Sequence, residues 1–381
     1  MHLNNLRIKN FRNHKDSYFD FGSKTNLIVG ENGQGKTNVI EAIGYICLTK
    51  SFYALNDKTV INCNSDLFEV EGEIKNHKSD ILKVRVAYSD NQNEKVYTIN
   101  KHRVAPLSSV IGKFPVVICA PEYGPVTMSG PSERRKFIDF VISQSDSKYF
   151  QNLIEYRRII KNRNKILLDS KIKNQNTKEL LEPWNEQLIE KGTYLILTRK
   201  KFVSEFKDYI QSSYDRIVDK EERISIEYKP GIGQNISEDE DKIQEIFRDQ
   251  LYKNSTEELK ICSTLVGPHR DELVFKINDL DLRKYASQGQ HKTFLVSLKT
   301  AEYFYLKERC DETPILLLDD VFSELDEKRS WRLLEFIETL SQTFITATSL
   351  NIFSKHSLVD NNHKLFNIKD GSVVEQKSFA A

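Results

Sequence analysis

The chain has 381 residues, 39% of them hydrophobic, with 56 Lys+Arg against 55 Asp+Glu, so it can bury a large core in two domains or lobes, and bulk charge gives no argument for nucleic acid. Its five cysteines (47, 63, 119, 262 and 310) are scattered without a C-x-x-C pair, which argues against a disulfide framework or zinc site and for reduced thiols in a cytoplasmic protein. Met1-His2-Leu3-Asn4-Asn5-Leu6-Arg7 has no apolar h-region, and no stretch approaches eighteen apolar residues, so neither a signal peptide nor a transmembrane helix is expected.

Leu6, Ile8 and Tyr18 to Phe21 form short alternating runs. Asn26-Leu27-Ile28-Val29 is an apolar run suited to a buried strand. Gly30-Glu31-Asn32-Gly33-Gln34-Gly35-Lys36-Thr37 follows and reads G-x-x-x-x-G-K-T, a phosphate-binding P-loop. Val39, Ile40, Ala42, Ile43, Ile46 and Cys47 then recur at helical spacing. A loop from strand to helix start faces a phosphate with free N–H groups and the positive end of the helix dipole. Lys36 can reach the terminal phosphates and Thr37 can hold Mg²⁺.

Leu67 to Ile74, Ile81 to Tyr88 and Val96 to Ile99 read as hairpin strands, and Pro115 to Pro121 frames a buried one. From Gly130 the pattern turns helical to about Val218. A strand is expected over Arg223 to Tyr228, and a helix from the acidic Glu238-Asp239-Glu240-Asp241 to about Lys260. Strand signals return near residue 262. With no repeat or low-complexity linker, the helical block reads as an insertion, giving a head in two parts (1–129 and 262–381) around a lobe at 130–261.

Ile315-Leu316-Leu317-Leu318-Asp319-Asp320 is a Walker B pattern. Asp319 would hold Mg²⁺ and Asp320 would orient or deprotonate an attacking water. Read alone, the two acids fit a solvated strand end better, and the P-loop in the same chain favours the Walker B reading. Ser287-Gln288-Gly289-Gln290 stands at the head of a helix running to about Arg309. It can be a phosphate site or an ordinary N-cap, and its place between P-loop and Walker B favours the former. A helix over Glu327 to Leu340, a strand over Thr343 to Ala347 and a ribbon over Leu365 to Val374 complete the chain.

G-E-N-G-Q-G-K-T-N, S-Q-G-Q and L-L-L-D-D-V-F-S-E-L-D, in this order, resemble the ABC-type ATPase heads of the SMC and RecF group. Asn10-Phe11-Arg12-Asn13, Gly130-Pro131-Ser132 with Arg134 to Asp139, Tyr156-Arg157-Arg158 with Arg163-Asn164, and Gly267-Pro268-His269-Arg270-Asp271 narrow the resemblance to the RecF family of recombinational-repair ATPases. The resemblance implies an α/β, ABC-type ATPase head, with mixed sheets around the P-loop and an inserted, mostly helical lobe. It implies ATP and Mg²⁺ as cofactors and slow hydrolysis in a head-to-tail homodimer formed on ATP. It implies action in DNA repair, DNA replication and the SOS response to DNA damage, binding single- and double-stranded DNA at gaps, with RecO and RecR placing RecA. On it, Gly30 to Asn38 bind phosphates and Mg²⁺ together with Arg12 and Asn13. Ser287, Gln288, Gly289 and Gln290 reach the γ-phosphate from the partner, and Ser323-Glu324-Leu325-Asp326 is the D-loop. His291-Lys292, Ser51-Phe52-Tyr53 and the absence of a histidine after Thr346-Ala347-Thr348 depart from the group's patterns.

Between Ser132 and Lys173 stand eleven Lys/Arg and five Asp/Glu. Arg157, Lys161 and Lys165 share a helix face with Arg158 beside them, which fits phosphate neutralisation as well as a solvated face; the resemblance favours DNA. His269-Arg270-Asp271 lacks the Asn of a kinase catalytic loop, Asn164-Lys165-Ile166-Leu167 lacks the acid of a guanine motif, and the eight histidines have no zinc spacing. An SMC-like structural clamp is the alternative, disfavoured by the short insert without a sustained heptad run. A plain P-loop enzyme acting on a small molecule is the third reading.

Overall fold

The computed structural model describes residues 1–173, 178–218, 222–233, 238–350, 353 and 362–378. The chain forms two compact units, Met1–Gly124 with Ser212–Glu221 and Ser287–Ala381, and Pro125–Gln211 with Glu222–Ala286. No helix among the described residues is long and apolar enough to cross a membrane.

The first unit contains two six-stranded sheets. One is antiparallel, in the order His14–Asp20, His2–Phe11, Leu67–Lys75, Ile81–Ser89, Glu94–Ile99, His102–Arg103. Its period-2 alternation turns Leu6, Ile8, Phe68, Val70 and Ile74 inward. The other runs Ser372–Ser378, Lys364–Lys369, Thr25–Val29, Thr343–Ala347, Ile315–Asp319, Val116–Cys119. All its pairings are parallel except the outer hairpin. Its inner strands Thr343–Ala347 and Ile315–Asp319 are buried throughout, as expected for parallel strands covered on both faces.

The P-loop helix Lys36–Leu48 touches strands of both sheets. It is apolar nearly all round, which is the pattern of a helix with no solvent face. Tyr45 packs edge-on against Phe11 and Phe68, and Phe21 packs edge-on against Phe344 and Phe366. These rings bury large areas and fix the strands that carry the site.

The second unit has the helices Pro131–Ser145, Ser147–Lys173 and Glu240–Ile261, most of Lys178–Ile217, and a small sheet in the order Leu280–Asp281, Glu272–Ile277, Ile224–Lys229. Residues 262–286, expected from the sequence to open the second part of the head, pack here instead. The physical reason is pairing: Glu272–Ile277 lies antiparallel to Ile224–Lys229. At the other boundary Pro125–Ser129 also packs with the helices, and the last turn of Lys178–Ile217 with the head. The interior is held by Arg199, which bonds Asp139 at 2.7 Å and Asp271 at 2.5 Å. Tyr149 adds a hydroxyl to Asp139 and Tyr228 one to Asp271. A fully buried guanidinium requires such complete pairing.

Candidate nucleotide-binding site

The P-loop leaves the C-terminal end of strand Thr25–Val29, and Asp319 ends a strand two places away in the same sheet. Ligands of open parallel sheets bind at such ends. Here a cavity of about 170 Å³ is lined by Asn32, Gly33, Gly35, Lys36, Thr37 and Asn38 on one side and Asp319, Asp320 and Thr346 on the other. The sequence-predicted P-loop and Walker B residues therefore meet.

Gly33 (φ 81°) and Gly35 (φ 107°) hold left-handed backbone that a side chain would strain. A Cβ on Gly35 would also lie 2.5 Å from Asn13 Oδ1. Lys36 donates to the carbonyls of Gly30 and Glu31 at 2.7 and 2.8 Å, crossing back over the loop. Burial pushes its ammonium below the ordinary lysine range, against the pull of Asp320 and Asp319. Thr37 Oγ1 lies 3.0 and 2.9 Å from the two carboxylate oxygens of Asp319. A hydroxyl and a carboxylate side by side form a hard-oxygen donor set, which suits Mg²⁺ completed by phosphate and water. Among the described residues no cluster of three or more His, Cys, Asp or Glu offers a rival metal cage.

Asp320 takes a left-handed conformation (φ 52°). Its half-buried side chain lines the cavity, and its N–H donates to Thr346 Oγ1 at 2.9 Å. Thr346 in turn donates to Asp319 Oδ1 at 2.5 Å. Sequence reasoning missed this threonine as a site residue. Its signal was its position at the carboxyl end of the strand beside Walker B.

Arg12 and Asn13 bond to protein groups beside the loop. The Arg12 guanidinium grips buried Glu41 with two bonds of 2.9 and 2.8 Å. Asn13 donates to Gln34 O at 3.0 Å and accepts from Asn38 at 2.7 Å. Neither lines the cavity. Gln34 faces the hairpin turn, accepting Asp370 N–H on its side chain at 2.6 Å and Gly371 N–H on its carbonyl at 3.0 Å. Buried His14 reaches Gly35 O at 3.0 Å.

Ser287 caps the helix Gln288–Arg309 in a capping box: its Oγ accepts Gln290 N–H at 3.2 Å, and Gln290 Oε1 accepts Ser287 N–H at 2.9 Å. Ser287, Gln288, Gly289 and Gln290 are absent from the lining of the P-loop cavity. Ser323 donates to Asp320 O at 2.8 Å, and Asp326 caps the helix Glu327–Glu338. The Glu324 side chain lies outside the described residues. In the other unit, Arg157, Arg158, Lys161 and Lys165 are all exposed on Ser147–Lys173. Arg157 bonds Asp139 at 3.1 Å, while Arg158, Lys161 and Lys165 have no ion pair among the described residues.

A family model described as RecF/RecN/SMC N terminal domain matches residues 2–373. The DNA replication and repair protein RecF of Salinibacter ruber is 40% identical over 351 residues, covering 91% of this chain and 85% of that protein. A solved structure described as the recombination mediator protein RecF-ATP in the RecFOR pathway is similar with a TM-score of 0.89 at 34% identity, covering 99% of this chain and 97% of that one. An Smc head at 14% identity and TM-score 0.55 shares the fold, covering 99% of this chain and 98% of that one. The chain belongs to the RecF family of DNA replication and repair proteins.

Proposed function

We propose that the chain is an ATP-binding, slowly hydrolysing DNA-repair ATPase of the cytoplasm. The observation that carries this reading is the meeting of Lys36, Thr37, Asp319 and Asp320 in one cavity that the Ser287 segment does not line. A cavity that this segment does not line fits one half of a composite site. The other half is assigned to Ser287, Gly289 and Gln290 of a second copy, with Ser323 and Asp326 at the interface between copies.

In this reading Lys36 leaves its loop carbonyls and takes the terminal phosphates, and the first N–H groups of the P-loop helix cradle them. Thr37 and Asp319 hold Mg²⁺. When bound there, it neutralises charge on the β- and γ-phosphate oxygens. Asp320 accepts the proton of the attacking water. Two copies close only with ATP between them, so ATP shifts the population toward the dimer by its differential affinity for that state. The dimer holds single- or double-stranded DNA at gaps, with the helical lobe and its Arg157, Arg158, Lys161 and Lys165 against phosphates. With RecO and RecR it favours placement of RecA, and hydrolysis times release. The RecF-ATP structure lends support at 34% identity.

Asp320→Asn tests the assignment. It is expected to bind ATP and Mg²⁺ like the wild type, to lose hydrolysis by about a hundredfold or more, and to accumulate as an ATP-bound dimer in sedimentation. Normal turnover by Asp320→Asn would contradict the role given to Asp320. Lys36→Met is expected to lose nucleotide binding and dimer together.

A further inference from the structure

Asp319 accepts a protein hydroxyl on each of its two oxygens. Thr346 Oγ1 donates to Oδ1 at 2.5 Å, and the Tyr53 hydroxyl donates to Oδ2. Thr37 Oγ1 lies within 3.0 Å of both. A carboxylate offers about four lone-pair positions. With one donor on each oxygen, two of these are taken, and Thr37 Oγ1 lies within hydrogen-bond distance of both oxygens.

Tyr53 is itself held by a chain of bonds that starts before the P-loop. Arg12 clamps Glu41. Ser51 Oγ donates to Glu41 Oε1 and accepts the N–H groups of Tyr53 and Ala54 at 2.9 and 2.6 Å. Phe52 seats the same loop on the P-loop helix, where a Cβ at Gly44 would lie 2.8 Å from its ring. The chain therefore runs Arg12, Glu41, Ser51, Tyr53, Asp319.

We propose that Tyr53 and Thr346 are positioning residues that aim the Asp319 carboxylate at the Thr37 hydroxyl, and that Arg12 acts on the metal site through Glu41, Ser51 and Tyr53 without touching nucleotide. The proposal rests on the nucleotide reading above and adds to it the residues that set metal affinity. Outer partners of a ligating carboxylate change metal affinity by about 10- to 100-fold when removed.

The test is binding of N-methylanthraniloyl-ATP to the full chain, titrated with MgCl₂ from an EDTA-buffered start. Tyr53→Phe keeps the ring and deletes the hydroxyl. Its half-saturating Mg²⁺ is expected to rise about tenfold, with metal-free nucleotide binding and the melting midpoint within error of the wild type. Thr346→Val is expected to raise the Mg²⁺ midpoint in the same direction, and Thr346→Ser to restore the wild-type midpoint. Arg12→Gln is expected to shift the Mg²⁺ midpoint in the same direction. An unchanged Mg²⁺ midpoint in Tyr53→Phe, or equal losses with and without Mg²⁺, would overturn the positioning role and leave the nucleotide reading standing. Failure of the wild type to bind the nucleotide at all would overturn both.

Discussion

His269, in the Gly267-Pro268-His269-Arg270-Asp271 motif, shows what one residue's bonding dictates. Its Nε2 lies 2.9 Å from Thr264 O, a pure acceptor, so the proton sits on Nε2. Nδ1 then accepts the Tyr156 hydroxyl at 2.8 Å. That pattern is complete with a neutral ring. Burial, with Arg270, Arg135 and Arg163 adding like charge, pushes the imidazole down to about 4. The folded state therefore refuses a proton that the unfolded chain accepts near its ordinary value of 6.5. Stability from this site is complete above pH 6.5 and falls as pH drops toward 4, by on the order of 3 kcal/mol in total. His269→Gln, compared with the wild type by urea unfolding at pH 7, 6, 5 and 4.5, is expected to show a flatter decline. A steeper or equal decline would place the acid sensitivity elsewhere. The kinase-like letters of this motif thus serve the interior of the helical unit.

At the scale of elements, the P-loop is shaped by a hairpin more than three hundred residues away in sequence. The turn between Lys364–Lys369 and Ser372–Ser378 bonds Gln34 twice. A Cβ on Gly371 (φ 68°) would stand 2.2 Å from Asn13 O, and Asn13 in turn ties Gln34 to Asn38. Gly371→Ala is expected to cost about 2 kcal/mol in stability through backbone strain. It is also expected to weaken ATP binding several-fold although no ligand atom is touched. Chemical unfolding and equilibrium nucleotide binding check the two halves. The P-loop, its strand and helix, the Walker B strand and the outer hairpin were legible because their signals are local: spacing, apolar runs and Asp370-Gly371 at the turn. Arg12–Glu41 and Tyr53–Asp319 were not, because such partners meet only after the sheets assemble. The strand Glu272–Ile277 has a clear alternation, with Leu273, Phe275 and Ile277 inward. Its partner is Ile224–Lys229, and alternation does not name a partner, so the sequence boundary fell on the wrong side of it. Within Ser147–Lys173, Ile154 and Leu168 are 40% and 47% exposed, while Tyr149, Tyr156, Ile159 and Leu167 are buried.

The whole molecule has near-neutral charge, so any hold on DNA must come from a local face. Arg158, Lys161 and Lys165 are exposed on Ser147–Lys173 without ion pairs among the described residues. Replacing all three with Gln is expected to lower duplex affinity and to reduce the slope of log affinity against log salt by about 3, leaving ATP binding intact. An unchanged slope would return this stripe to a solvated helix face. The larger claim is that one chain carries half a catalytic site. Its most direct test is the ATPase rate per subunit measured against protein concentration, with and without gapped duplex DNA. A composite site predicts a specific activity that rises with concentration until the dimer saturates, reaches its plateau at lower protein concentration when DNA is present, and vanishes for Ser287→Arg. A flat rate per subunit, indifferent to DNA and to Ser287→Arg, would contradict it and leave a self-sufficient monomeric site.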